Sequence, residues 1–148
     1  MKISKLFISA VLVFFSLSAC ADDKVVAFNT APQAVQSFVK KHFPKSQVTR
    51  TVKDYDNLSC NWEVYLSEGY ELEFTKKGDW KKVDGHRMAL PKSVILLMPK
   101  QISDYCSQNF PEAQIVEMDK DRRDYQIQLS NGVELEFDLQ GNFIRFDD

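Results

Sequence analysis

The residues best placed to do chemistry are glutamates. The run Glu-Leu-Glu-Phe occurs twice, with Glu71 and Glu73 in one copy and Glu134 and Glu136 in the other. Residues two apart on a strand share a face, so each pair projects its carboxylates the same way. Glu63 and Tyr65 alternate with Trp62, Val64 and Leu66 and fall on the same polar side. Carboxylate pairs run acid–base chemistry when their environments separate their pKa values. Strict apolar/polar alternation predicts a half-buried sheet with one open face, where little separates them. Glu63, Tyr65, Glu71, Glu73, Glu134 and Glu136 are therefore expected to form a binding face for a basic partner or a cation, and not an enzyme's active site.

Other chemistry has less support. The two histidines are His42, at the end of a helical segment, and His86, in a connection. No serine, cysteine or aspartate has a local partner spaced for a triad, and G-x-S-x-G is absent. Asp54 and Asp56 give the D-x-D start of a calcium loop, but Ser59 stands where that loop needs glycine. Asp119 and Asp121 lie beside Arg122 and Arg123, which oppose their charge. These four aspartates are the candidate metal ligands. No cofactor is expected, and calcium is the ion the oxygen ligands would suit.

Composition sets the setting. The 148 residues carry a net charge of −2. Lys2 and Lys5 precede an apolar stretch from Leu6 to Leu17, too short for a mature membrane span, as in a secretory leader. "LSAC", ending at Cys20, fits the lipobox of bacterial lipoproteins, with Cys20 as the lipidated residue. The same place also reads as Ala19-Cys20-Ala21, a site for the ordinary leader peptidase. Either way the protein is expected outside the cytoplasm, in the periplasm or anchored to the outer membrane. Loss of residues 1–19 removes two lysines and moves the charge to −4 (−2 − 2). That excludes a basic nucleic-acid footprint, and leaves a lipid on Cys20 as the one expected membrane tie. The expected partner is an unidentified protein or a cation. Cys60 and Cys106 could pair in an oxidising compartment, but no spacing motif links them.

The elements that carry the glutamates repeat. At an offset of 67, Pro32 falls on Pro99, Phe43-Pro44 on Phe110-Pro111 and Val48 on Ile115. At an offset of 63, Trp62 falls on Tyr125, Gly69 on Gly132, Gly78 on Gly141 and Asp84 on Asp147. Each half reads as one helix and four strands. Thr30 and Gln33 resemble a capping box, with Pro32 in the first turn. Val35, Phe38, Val39 and His42 form one helical face, and Pro44 ends it. Strands are expected around 47–53 and 114–118, then over the alternating runs. The expectation is an α+β protein of two tandem α-β(4) repeats: a two-layer structure, an antiparallel sheet with the helices on one face. Its divisions are 1–19 (leader), 20–29 (tether), 30–85 (first repeat), 86–98 (connection with a short helix) and 99–148 (second repeat).

"NFPEAQIVEMD", "YQIQLSNGVELEFDLQGNF" and "WEVYLSEGYELEFTKKGDW" resemble the PepSY-like periplasmic proteins that share the beta-lactamase-inhibitor-protein fold. The resemblance runs from about Val26 to Asp148. It implies a two-layer α/β protein of tandem α-β repeats with a concave sheet face, and related folds bind or inhibit other proteins. Some members are described as calcium-regulated and related folds inhibit proteins, so a cation-responsive protein and a protein inhibitor are the alternative functions. No inhibitory loop motif is present in this chain.

Overall fold

The computed structural model describes residues 24–56 and 59–147. The leader, Cys20 and the start of the expected tether lie outside the described residues. Nine strands succeed one another: β1 (Lys24–Val25), β2 (Val48–Asp56), β3 (Ser59–Leu66), β4 (Glu71–Phe74), β5 (Trp80–Asp84), β6 (Ile115–Lys120), β7 (Asp124–Leu129), β8 (Glu134–Asp138) and β9 (Phe143–Asp147). They form one sheet in chain order, antiparallel throughout. Helix α1 (Gln33–His42) lies between β1 and β2. The short α2 (Lys92–Ile95) and α3 (Lys100–Asn109) lie between β5 and β6.

This corrects the expected architecture. The chain is mostly one nine-stranded antiparallel sheet with little helix, and not a two-layer α+β structure of two tandem repeats. The ladder between β5 and β6 pairs Lys82 with Asp119, Val83 with Met118 and Asp84 with Glu117, so the strands of both halves are one hydrogen-bonded sheet. Among the described residues, a 3-10 turn at 28–30 precedes α1 where α2 precedes α3, and β2 runs nine residues against six in β6. Apolar periodicity marks elements but carries no information about which distant strands pair. Within the span expected as tether, Lys24 and Val25 pair with Lys53 and Val52 and residues 28–30 form a 3-10 turn.

Local chemistry explains the helix ends. Prolines 32 and 99 precede α1 and α3, where a missing N–H is harmless. The expected Thr30 capping box does not form: Thr30 Oγ1 donates to the Ala27 carbonyl at 2.6 Å. Both helices close on an aromatic, with Phe43 N–H donating to Val39 O and Phe110 N–H to Cys106 O, each at 2.8 Å. Pro44 and Pro111 come next and bar continuation.

One apolar core lies under the helices. Val35 and Val39 of α1 and Ile102 and Cys106 of α3 pack with Val64, Leu72, Phe74, Val83, Met118, Ile127, Leu135 and Phe137. Phe38 meets Phe74 edge-on at 5.1 Å, and Tyr105 meets Phe137 edge-on at 5.4 Å. Full burial of such a ring stabilises by roughly 1.5–3 kcal/mol. Cys106 is a free thiol, pushed up to about 11 by burial, and so inert.

Two turns lean on the helix starts. Gly78 and Gly141 have φ of +94° and +89°, and a Cβ would stand 2.9 Å from Ala34 Cβ and 2.8 Å from Pro99 Cβ. Gly132 has φ +86° with nothing within 4 Å of such a Cβ. Gly141→Ala is therefore expected to cost about 2–3 kcal/mol, backbone strain plus a clash, while Gly132→Ala costs about 1 kcal/mol from strain alone. Urea unfolding tests this: the midpoint falls further for Gly141→Ala with an unchanged m value. Equal losses would mean that the turn does not press on α3.

Candidate functional site

The register lines up two rows of side chains on the face opposite the helices. The first runs Val25, Val52, Glu63, Glu73, Lys82, Asp119, Gln126, Glu136, Arg145 across all nine strands. The second runs Arg50, Tyr65, Glu71, Asp84, Glu117, Gln128, Glu134, Asp147 from β2 to β9. All six residues expected on the open face stand in these rows. Asp84, Glu117, Asp147, Lys82 and Arg145 join them. The two rows hold nine carboxylates (Glu63, Glu73, Asp119, Glu136, Glu71, Asp84, Glu117, Glu134, Asp147) against three cations (Lys82, Arg145, Arg50).

Acids oppose acids directly. Glu63 faces Glu73, Glu71 faces Asp84, Asp84 faces Glu117, and Glu134 faces Asp147. Like charges opposite each other destabilise a sheet by roughly 0.2–1 kcal/mol per pair. Partial relief comes from Lys82 Nζ, 2.7 Å from Glu117, and Arg145 Nε, 2.7 Å from Glu136. Tyr65 Oη donates to Glu63 at 2.8 Å beneath the Arg50 guanidinium, 3.9 Å from the ring centre. Gln128 Nε2 donates to Glu134 at 3.0 Å.

The face is less solvated than simple alternation implies, because neighbouring side chains in register shield one another. Glu136 is buried, at 8% exposure, against Arg145. Burial raises the Glu73 carboxyl, outweighing Lys81 and Lys82, and raises that of Asp119 likewise. For Lys82, burial lowers the pKa, but the Glu117 hydrogen bond and nearby carboxylates win and raise it.

The candidate metal ligands do not converge. Asp54 lies in β2 opposite Asn61, and Asp56 opposite Ser59, so paired strands run through the positions that would open a calcium loop. Asp119 belongs to the first row, and Asp121, exposed in the β6–β7 turn, accepts the Arg122 N–H at 2.6 Å. β2 and β6 are four strand spacings apart, about 19 Å. The group of three ligand side chains found among the described residues is instead Glu71, Asp84 and His86, with ligand atoms within 4.8 Å of one another. His86 Nε2 is 3.4 Å from Glu71 and Nδ1 3.5 Å from Asp84. Its own N–H donates to Asp84 Oδ1 at 2.6 Å, and its φ is 56°. A cleft of about 370 Å³ opens beside it, lined by Asp84, His86, Arg87, Glu117, Gln128 and Ser130.

His42 ends α1, as expected, and is also a buried contact to α2. Its Nδ1 is 3.0 Å from Ser93 Oγ, and burial, then Lys41, lowers its proton affinity. Local spacing could not reveal this pair, 51 residues apart.

Comparison with known proteins places this architecture. The family model described as "Putative beta-lactamase-inhibitor-like, PepSY-like" matches residues 60–145. The chain belongs to the PepSY-like family. Two solved structures cover 86% of this PepSY-like chain and 98% of their own. One, from Bacteroides thetaiotaomicron, is described as a "putative calcium-regulated periplasmic protein" and is 37% identical with a TM-score of 0.80. The other, a "putative periplasmic protein" from Bacteroides vulgatus, is 36% identical with a TM-score of 0.79. A further periplasmic protein of unknown function from Bacteroides vulgatus is 31% identical, at a TM-score of 0.80. No curated protein matches.

The raised carboxyls make a testable statement about stability. A carboxyl raised in the fold binds its proton more readily there than in the unfolded chain, so stability falls as pH rises through that window. Glu73→Gln and Asp119→Asn are each expected to stabilise the protein at pH 7 by on the order of 0.5–1 kcal/mol. The gain should shrink as pH falls toward the ordinary values of 4.5 and 3.8 and the native carboxyls protonate. Thermal unfolding from pH 7 to pH 4 checks it, and variants less stable than the native protein at pH 7 would contradict it.

Proposed function

We propose that this PepSY-like protein is a non-catalytic extracytoplasmic binding module whose open sheet face takes a basic partner. The observation that carries the reading is the four acid–acid oppositions across the strands. A sheet gains nothing in stability from them, and a partner bringing lysine or arginine would relieve them. The carboxyls of Glu73 and Asp119 are raised for the same reason, by burial, so they are not divided into an acid and a base as a catalytic pair would be. The periplasmic descriptions of the similar structures and the leader-like N-terminus support the address.

A lysine-rich peptide is the direct probe. Binding should be salt-sensitive, and the joint change of Glu71, Glu73, Glu134 and Glu136 to Lys should abolish it. Equal binding by the quadruple variant would remove the face from consideration.

A second reading, a cation-responsive protein, is favoured by the Glu71–Asp84–His86 group and by the calcium-regulated description of one similar structure. Two carboxylates suit calcium, while an imidazole suits zinc or a similar metal. Excess calcium or zinc should raise the melting temperature, and Asp84→Asn should cancel the rise. An identical melting curve in metal and in chelator ends this reading.

A further inference from the structure

The sheet has two edges, and they differ. β1 is two residues long and carries Lys24, a short charged edge of the kind that resists pairing. β9 has five residues, without proline or lysine, and among the described residues it pairs with β8 alone, so its outer edge offers N–H and C=O groups that no described strand takes up. The core's aromatic system runs out to this edge. Tyr105 stacks on Phe143 at 4.7 Å, and Phe143 meets Phe146 at 5.2 Å, with Phe110 on its other flank at 6.5 Å. There it stops uncovered: Phe146 is 53% exposed and Ile144 49%.

The edge is complementary to itself. Phe146 lies on the helix-covered side opposite Leu135, while Arg145 and Asp147 lie on the open face opposite Glu136 and Glu134. In a two-fold antiparallel pairing centred on Phe146, Phe146 meets its own copy and each Arg145 meets Asp147 of the second copy. Centring on Arg145 would oppose two arginines, and centring on Asp147 two aspartates, so among these three centres charge favours Phe146. Arg145 can serve both partners, since its guanidinium has five donors and one pairs with Glu136.

We propose that β9 pairs with β9 of a second copy of this chain in that register, giving a two-fold dimer with one continuous sheet. The interface is isologous, so it closes after two copies and leaves only the guarded β1 edges. The two acidic faces then adjoin across the dimer axis. This proposal does not depend on the face binding a basic partner.

A charge swap tests it. The protein as matured by the cell is followed by sedimentation over a concentration series, with folding checked by circular dichroism. The native protein should dimerise. Asp147→Arg opposes two arginine pairs, and Arg145→Asp opposes two aspartate pairs; each should weaken the dimer at least about tenfold. Mixed in equal amounts, the two variants restore both ion pairs and should dimerise again. If Arg145→Asp fails to fold, Asp147→Arg and Phe146→Lys decide, since both leave the Glu136 pair intact and both should give monomers. A native protein that stays monomeric at millimolar concentration, or a dimer indifferent to these changes, overturns the proposal. So does a native monomer whose β9 amides become protected only when a foreign peptide is added.

Discussion

Three residue pairs at the middle of the sheet hold the molecule together. Lys82 with Asp119, Val83 with Met118 and Asp84 with Glu117 join five strands on one side to four on the other. Roughly thirty residues, including α2 and α3, separate the two strands in sequence, so loop-closure entropy opposes the pairing. Burial offsets it: Val83 and Met118 are fully buried, and through them the cores under α1 and α3 become one. The same ladder builds the site. It sets Asp84 against Glu117 on the open face and places Lys82 within 2.7 Å of Glu117.

Four bulges then decide which residues reach that face. Register shifts occur between Val48 and Arg50, Glu73 and Phe74, Ile115 and Glu117, and Glu136 and Phe137. Each inserts a residue and reverses the in–out parity of the strand beyond it. In β5, Trp80 and Val83 both face the core, three positions apart, opposite Phe74 and Leu72. In β9, Phe143 and Phe146 do the same opposite Phe137 and Leu135. Sheets bend at such points, which lets the strands wrap the aromatic cluster that Phe38 and Tyr105 bring down from the helices.

The bulges also mark the limit of legibility in the sequence. Strong local signals were legible: the alternating ELEF strands, the α1 face of Val35, Val39 and His42 and the proline stops all appear in the fold. Parity across a bulge was not. Alternation from Trp80 puts Lys81 on the open face and Lys82 on the core side, whereas Lys82 stands in the row opposite Glu73 and Lys81 also acts on that carboxylate. Nor was pairing at a distance: residues 24–25 proved to be a strand, and the two-layer α+β class of tandem repeats gave way to a mostly β structure, although a single antiparallel sheet with the helices on one face was itself expected. Of the site, the six residues on ELEF strands and β3 could be placed from period two alone. Their opponents Asp84, Glu117 and Asp147 could not, because opposition is a property of register.

Packing and charge thus occupy opposite sides of the same strands. On the helix side each residue answers to packing, and a lost methylene leaves a cavity. On the other side carboxylates stand in rows that packing does not require, and changes there alter charge without opening the core. Glu136 is where the two demands meet. It belongs to an acidic row, yet it is buried, and its charge is tolerated because Arg145 of the edge strand lies 2.7 Å away. Removing the arginine would leave a buried carboxylate unpaired, a loss larger than either residue's contact area suggests. The acidic face is therefore anchored at one end by the strand whose outer edge is still open, so any chain that pairs with β9 also fixes the last member of the row.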